Sequence, residues 1–502
     1  MSKVYSLDWS KKVIGYQCFV DSYSIGHKSL PEKAMHYPEK VYNHQTRLLN
    51  WLEEFDEYCY GYAFYGGDLS GIINSINSYL AEFGIDMLYL TPIFKAESNH
   101  KYDTVDYKTI DPQFGALDTF KRLVQACHNH QIKLILDGVF NHTSCHHPWY
   151  LNALEGKTPY NEYYKKDENG HFLNWNGVET LPLLNHDHPD IREYFYGAPQ
   201  SIVKYWLEQG ADGWRLDVAE RLGKDVIKRI KQSIRSDLTG KVLYGEIIET
   251  YGVEWLGDNL LDGAMNYVFL GNTVNFLKNK INGETFLYEL DKMYNEYPKA
   301  QLYNSWNIIS SHDTNRMIYE VDGNENLFKI AFILQFTYPG IPMIYNGDEL
   351  GILPGEKNKD NRQGLDWQRV NILKLKEREP WKTVQPMDWK KVNQYSSFFF
   401  FYRHLIWLRK NYKVLIEGDF VPAYKDNDII AYFRCLDGKQ YALIIVNKGG
   451  TKEIKIEIPE HIRKNKPVLK GVHGPVGEVK LFDKYLPVTV YSQNSYIFIS
   501  KS

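Results

Sequence analysis

Cysteine is scarce in this chain of 502 residues: Cys18, Cys59, Cys127, Cys145 and Cys435 are all there is. An odd number at irregular spacing excludes a disulfide framework and points to reduced thiols, with the cytoplasm as the expected compartment. Long apolar runs are missing as well. No stretch nears the roughly 18 uninterrupted apolar residues of a membrane-crossing helix. The opening segment from Met1 to Lys12 holds no apolar run of signal-peptide length, so no membrane partner is expected. The most intense run, Phe398 to Phe401, is short and leads into Tyr402, Arg403 and His404; it reads as the buried start of a helix reaching Lys413. Excess charge of one sign is lacking too. With 59 basic and 62 acidic residues the formal net charge is −3, which leaves no electrostatic footprint for nucleic acid. Glycine-rich phosphate loops, dinucleotide fingerprints and nucleophile elbows are absent.

What is present is a globular balance, 43% hydrophobic and 24% charged, long enough for a large α/β barrel with an appended module. Aromatic residues reach 15%, with 39 Tyr and 12 Trp. Flat rings suit the apolar faces of pyranoses, although most such rings simply pack a core.

Short apolar strand candidates alternate with helical patterns, the signature of repeated βα units. The strands fall at Val13–Val20, Met87–Ile93, Lys133–Phe140, Gly213–Ala219, Val242–Ile248, Asp262–Phe269, Trp306–Ser311 and Ile341–Tyr345. Amphipathic segments lie between them at Leu117–His130, Asp190–Gln209 and Asp225–Ser236. This pattern predicts a (β/α)8 TIM barrel, whose chemistry sits at the C-terminal strand ends. Almost fifty residues separate the third strand from the next helix, too many for a structureless loop, so residues 141–188 are read as an inserted subdomain. A second excursion, roughly His27–Gly66, follows the first strand. Beyond Gly418 the pattern turns to period two, with Ile454, Ile456 and Ile458 alternating with Lys455 and Glu457, as in an antiparallel β module. The expected organisation is a barrel over 1–140 and 189–413, the insertion at 141–188, and a C-terminal β-sandwich at 414–502.

Three carboxylates close apolar strands: Asp217 in Gly213-Trp-Arg-Leu-Asp-Val-Ala, Glu246 after Leu243-Tyr-Gly, and Asp313 after Ser311-His. An acid at a strand end is commonly just a cap, but three converging on one barrel mouth form a candidate active site. Paired carboxylates suit glycoside hydrolysis, which passes through an oxocarbenium-like transition state. Arg215 and Asp217, two apart in a strand, point to one face, so the guanidinium favours the ionised carboxylate and makes Asp217 the nucleophile. Glu246, with Tyr244 and Ile247 beside it and two anions nearby, is expected to have a raised pKa and to donate the proton. Asp313 is expected to stabilise developing positive charge.

These residues resemble the α-amylase family of glycoside hydrolases over nearly the whole chain. Asp137-Gly-Val-Phe-Asn-His142, Gly213-Trp-Arg-Leu-Asp217, Gly245-Glu246 and His312-Asp313-Thr314 follow the family's order. The resemblance implies Asp217 as nucleophile, Glu246 as acid/base and Asp313 as transition-state stabiliser. It also implies that His142 and His312 bind sugar in the −1 subsite, that Arg215 holds Asp217, and that Asp137 is the buried partner of Arg215. The stretch from Ser98-Asn-His-Lys-Tyr102 to Phe114-Gly115 is similar to the neopullulanase, cyclomaltodextrinase and maltogenic amylase group, where Tyr102 would stack on the −1 glucose. Arg362 matches a −2 subsite position, and Asn358 matches its segment more loosely. Tyr345-Asn-Gly-Asp-Glu-Leu-Gly351 resembles the eighth-strand segment and reads as structural.

Departures from the group are Leu183 where lysine is common, Ile248 where an aromatic residue is frequent, and Glu220-Arg221 in place of a lysine–histidine pair. The group's N-terminal β domain has no counterpart ahead of the first strand, so a monomer is expected rather than the usual dimer. His142, Cys145, His146, His147, His186 and His188 match no closed zinc spacing. No cofactor is required by the chemistry. A structural calcium ion is compatible with Asn141, which stands where α-amylases supply one ligand.

The function expected is retaining hydrolysis of α-1,4 bonds, with α-1,6 bonds a further target, in an α-glucan oligosaccharide such as a maltodextrin. A transglycosylase of the same fold and a non-catalytic amylase-like scaffold are the competing readings.

Overall fold

The computed structural model describes residues 9–26, 31–51, 53, 61–248, 252–352, 362, 364–365, 398–474 and 477–500. Cys59 and Asn358 lie outside them. Eight strands form a closed barrel: β1 (Gly15–Cys18), β2 (Met87–Leu90), β3 (Lys133–Gly138), β4 (Gly213–Leu216), β5 (Val242–Ile247), β6 (Gly263–Asn266), β7 (Trp306–Ile308) and β8 (Ile341–Tyr345). Their order around the barrel is β1-β8-β7-β6-β5-β4-β3-β2. Apart from Lys133 the residues of these strands are buried, as the continuous apolar runs require of a parallel sheet covered on both faces.

All eight expected strands are present, but most are shorter at one or both ends. The expected strand Asp262–Phe269 stops at Asn266, whose side chain accepts the Phe269 N–H at 2.9 Å and so caps a helix over Tyr267–Leu277. The strand expected to reach Ala219 ends at Leu216, and a short helix already begins at Ala219. The single helix expected over Asp190–Gln209 is broken. An α turn at Pro189–Arg192 runs into a π turn at Glu193–Gly197, and a second helix starts at Ile202. Pro199 is the cause: the residue before it, Ala198, is held extended at ψ 156°.

The chain divides into two compact units, one built mainly of residues 15–265 and the other mainly of 266–353 and 368–502. In the first, the insertion carries a short helix (Pro148–Leu154) and a two-stranded hairpin (Asn174–Trp175 with Val178–Pro182). Isolated backbone bridges His142–Leu183 and Tyr164–Leu184 extend this pairing on the same segment. In the second unit, six strands order as Asp419–Lys425, Ile429–Leu436, Gln440–Asn447, Asn494–Ser500, Val468–His473 and Glu478–Lys480. The period-two segment Lys452–Glu457 pairs with Tyr485–Val490, burying Ile454 and Ile456 while its lysines and glutamates stay exposed. The phenylalanine run opens a buried helix that starts at Phe398 and ends at Asn411, two residues short of Lys413. Two fully buried arginines brace this unit. Arg409 donates to the Phe336 and Leu415 carbonyls, and Arg434 to those of Thr337, Leu415 and Gly418.

Candidate active site

Register assembles the site. On β4, Gly213 to Leu216 pair with Ile135 to Gly138 of β3 on one side and with Val242 to Gly245 of β5 on the other. Arg215 is therefore directly opposite Asp137, and continuing the register by one residue sets Asp217 beside Glu246. Gly245 permits the close packing: a Cβ there would lie 2.5 Å from Leu261 and 3.0 Å from Ala219.

Arg215, fully buried, is the hub. Its Nη1 donates to both oxygens of Asp137 at 2.9 and 3.0 Å and to Asp217 Oδ1 at 3.0 Å. Its Nη2 lies 2.9 Å from Glu246 Oε2, an ion-pair distance without hydrogen-bond alignment. Burial opposes the guanidinium's charge, but Asp137, Glu246 and other neighbours raise its pKa well above the ordinary arginine value, so it stays charged. The same cation that holds Asp217 also reaches the second carboxylate.

A hydrogen-bond donor to Glu246 comes from a strained turn. Val218, the residue after Asp217, sits at φ 39° and ψ 51°, the left-handed region that a β-branched residue rarely adopts. That conformation costs on the order of 1–3 kcal/mol, and it accompanies a bond from the Val218 N–H to Glu246 Oε2 at 3.0 Å. The strain is found where two candidate catalytic groups meet.

Above Asp137, two phenols converge. Tyr89 of β2 donates to Asp137 Oδ2 at 2.6 Å and Tyr102 to the same oxygen at 2.9 Å. Burial above all raises the Tyr89 pKa well beyond the ordinary tyrosine value, so it remains a donor. His142 Nε2 donates to the Tyr102 carbonyl at 3.0 Å, and burial lowers the ring's pKa to about 4, keeping it neutral at physiological pH. The Trp175 ring of the inserted hairpin lies 6.2 Å from the His142 ring. Tyr89, Trp175 and the Val218 N–H were not singled out from the sequence. Tyr89 was the most findable, as the lone hydroxyl in the apolar run Met87–Leu90.

Arg362 is buried, with its guanidinium 5.2 Å from the Phe19 ring. In the second unit, His312 is buried with Nε2 2.9 Å from Asp313 Oδ2, and Asp313 keeps 38% of its side chain exposed. The Ser311 hydroxyl accepts the Asp313 N–H at 3.2 Å, and Thr314 Oγ1 accepts the Ser311 N–H at 2.9 Å, so a tight turn presents the acid. The segment after β8 is tied inward by Arg316, which donates to Asp348 and to the Asn346 carbonyl, both at 2.9 Å.

The histidines weighed as a zinc cluster have separate partners. His146 faces Glu97, His147 and His188 cap helices, and His186 donates to the Phe140 carbonyl. At Asn141, the position compared with a calcium ligand, the side-chain nitrogen lies 3.3 Å from His142 Nδ1 and the backbone carbonyl accepts the Leu184 N–H. Among the described residues no group of three or more His, Cys, Asp or Glu could hold a metal ion.

A closed parallel barrel with carboxylates gathered around one arginine at the strand ends defines the glycoside hydrolase class of TIM barrels. The α-amylase catalytic domain matches residues 19–418, and the chain belongs to the α-amylase family of glycoside hydrolases. It is 31% identical to neopullulanase 2 of Thermoactinomyces vulgaris, covering 94% of this chain and 76% of that one. It is 33% identical to a cyclomaltodextrinase of a Bacillus species, over 76% of this chain and 66% of the other. Among solved structures, the cyclic α-maltosyl-(1→6)-maltose hydrolase of Arthrobacter globiformis shares the fold, with TM-score 0.80, 23% identity, and coverage of 99% of this chain and all of that one. No helix among the described residues is long and apolar enough to cross a membrane.

Proposed function

We propose that this chain is a retaining α-glucan hydrolase that cleaves α-1,4 bonds, and α-1,6 bonds as a second target, in short soluble maltodextrins. The observation that carries the reading is the single buried guanidinium shared by Asp217 and Glu246 at the ends of adjacent strands. Retaining enzymes need their two carboxyl groups only about 5–5.5 Å apart, and one planar hub serving both is consistent with that spacing. Asp217, hydrogen-bonded to Arg215, is the ionised nucleophile that attacks the anomeric carbon. Glu246 protonates the departing glycosidic oxygen and then, as a carboxylate, takes a proton from the attacking water. Asp313 stabilises the oxocarbenium-like transition state. Tyr102 stacks against the reacting sugar, His142 and His312 hold its hydroxyls, and Arg362 serves the neighbouring subsite. The names of the relatives, neopullulanase and cyclomaltodextrinase, support the substrate class.

Proton NMR of early products from maltoheptaose should show the α-anomer first; initial release of β-anomer would rule out the double displacement. The proposed chemistry draws on no metal ion and the active species is a monomer. Dialysis against EDTA should leave kcat unchanged at temperatures where the protein stays folded. Loss of kcat restored by a divalent ion would show a metal in the reaction.

A further inference from the structure

We propose that His44 and Tyr62 form an outer sugar-stacking subsite, continuous with Tyr102, that takes additional glucosyl units of a linear α-1,4-glucan. The inference rests on the substrate class proposed above. The two rings stack face to face, 4.6 Å apart and within 8° of parallel. His44 is exposed and Tyr62 half-buried, so the pair offers solvent a flat surface backed by a second ring. Rings already held in place lose little rotamer freedom when a ligand lands on them, which favours binding.

This pair is clipped to the loop that carries Tyr102. The Asn99 N–H donates to the Gly61 carbonyl at 2.8 Å, and Asn99 Nδ2 donates to the Ala63 carbonyl at 2.7 Å, one bond on each side of Tyr62. Gly61, at φ 91°, meets His100: a Cβ there would stand 3.7 Å from His100 Nε2. His100 in turn stacks on Tyr102 with centroids 5.8 Å apart, and its Nδ1 accepts the Tyr102 N–H at 3.1 Å. A path of partly exposed rings thus runs from Tyr102 through His100, past Gly61, to Tyr62 and His44. Tyr62 packs on the small core of Leu49, Ala63 and Tyr65, which seats the pair and leaves the exposed His44 ring as its outer face. A flat, solvent-facing pair beside the candidate −1 platform suits the C–H face of a pyranose, and a linear glucan supplies such faces in series.

The test compares wild type with His44→Ala, Tyr62→Ala and the double variant on maltotriose through maltoheptaose. The ratio of kcat/KM for maltoheptaose to that for maltotriose should fall by about three- to tenfold, the range of one aromatic contact. The maltotriose value should stay within about twofold of wild type. His44→Gln and Tyr62→Leu, which keep bulk and lose the flat face, should behave like the alanine variants and keep the thermal unfolding midpoint. An equal loss at every chain length, or an unchanged profile, would overturn the subsite while leaving the hydrolase reading in place. A folded wild type inactive on every maltooligosaccharide would sink both.

Discussion

Around the ends of β3, β4 and β5, one buried guanidinium, Arg215, faces three carboxylates, Asp137, Asp217 and Glu246. Around the turn that follows β1, two buried ammonium groups, Lys33 and Lys101, face Asp68, Asp111 and Asp21. The second cluster is nearly balanced and densely bonded. Lys33 pairs with Asp68 and donates to the Gly66 carbonyl; Lys101 lies 2.9 Å from Asp111 and donates to Gln113 at 2.7 Å; Asp21 accepts the Tyr65 and Gly66 N–H groups. These bonds anchor segments 31–51 and 61–66, the excursion whose purpose was opaque in the sequence. The first cluster holds more acids than its one cation can pair, and two of them stand at strand ends, where an incoming oxocarbenium-like centre can use them. Burial of charge is common to both, and what separates chemistry from scaffolding is whether the charge has been neutralised.

The sharpest way to break the comparison is to remove the surplus. Asp217→Asn and Glu246→Gln should each lower kcat by about 10³-fold or more, the scale of interactions made in the transition state. Circular dichroism should stay native, and a near-normal kcat at either position would remove that residue from the mechanism.

Next in size is stability. Lys101→Met leaves Asp111 buried without its cation and should cost about 3–5 kcal/mol in urea unfolding. The kcat per folded molecule should change little. Arg215→Met should cost a comparable amount and also abolish activity, because the same guanidinium holds the catalytic acids. If Lys101→Met lost kcat as severely as Arg215→Met, the division between the clusters would fail.

The smallest effect is a difference in sign with pH. The folded-state pKa of His142 is lowered to about 4 by burial, so its contribution is present above the unfolded value near 6.5 and is lost as pH falls towards 4. Asp21 behaves oppositely: burial raises it from 3.8 to about 6, so the folded state holds its proton longer, and its contribution is lost as pH rises from about 4 to 6. Each is worth about 3 kcal/mol. Unfolding free energies between pH 4 and 7 should show the acid-side loss reduced in His142→Gln. In Asp21→Asn the fall on raising pH should be reduced. Equal slopes in variants and wild type would show that neither group titrates with folding.

Much of the first cluster was legible because its signals are local. An apolar run closed by a charged residue marks a strand end, and the alternation Arg215-Leu216-Asp217 sets two charges on one face. The second cluster was not legible, since nothing in the residues around Lys33 or Lys101 marks either ammonium group as buried or names its distant acid. Val218 also gave no sign, because a valine predicts an extended residue and its left-handed conformation arises only where the turn after β4 meets Glu246. The broken helix at Pro199 was readable in principle, because proline restrains the residue before it.

Sequence by itself determined the order and period of the elements, the residue types at the strand ends and the family those stretches belong to, all of which depend on neighbours a few positions apart. Only the tertiary structure decided which cation meets which acid. Arg215 reaches Asp137 across 78 residues of chain, and Tyr89 reaches the same carboxylate across 48. Such pairings are set by barrel register and by the cost of leaving a buried charge unmet, and neither is written in any local stretch of the chain.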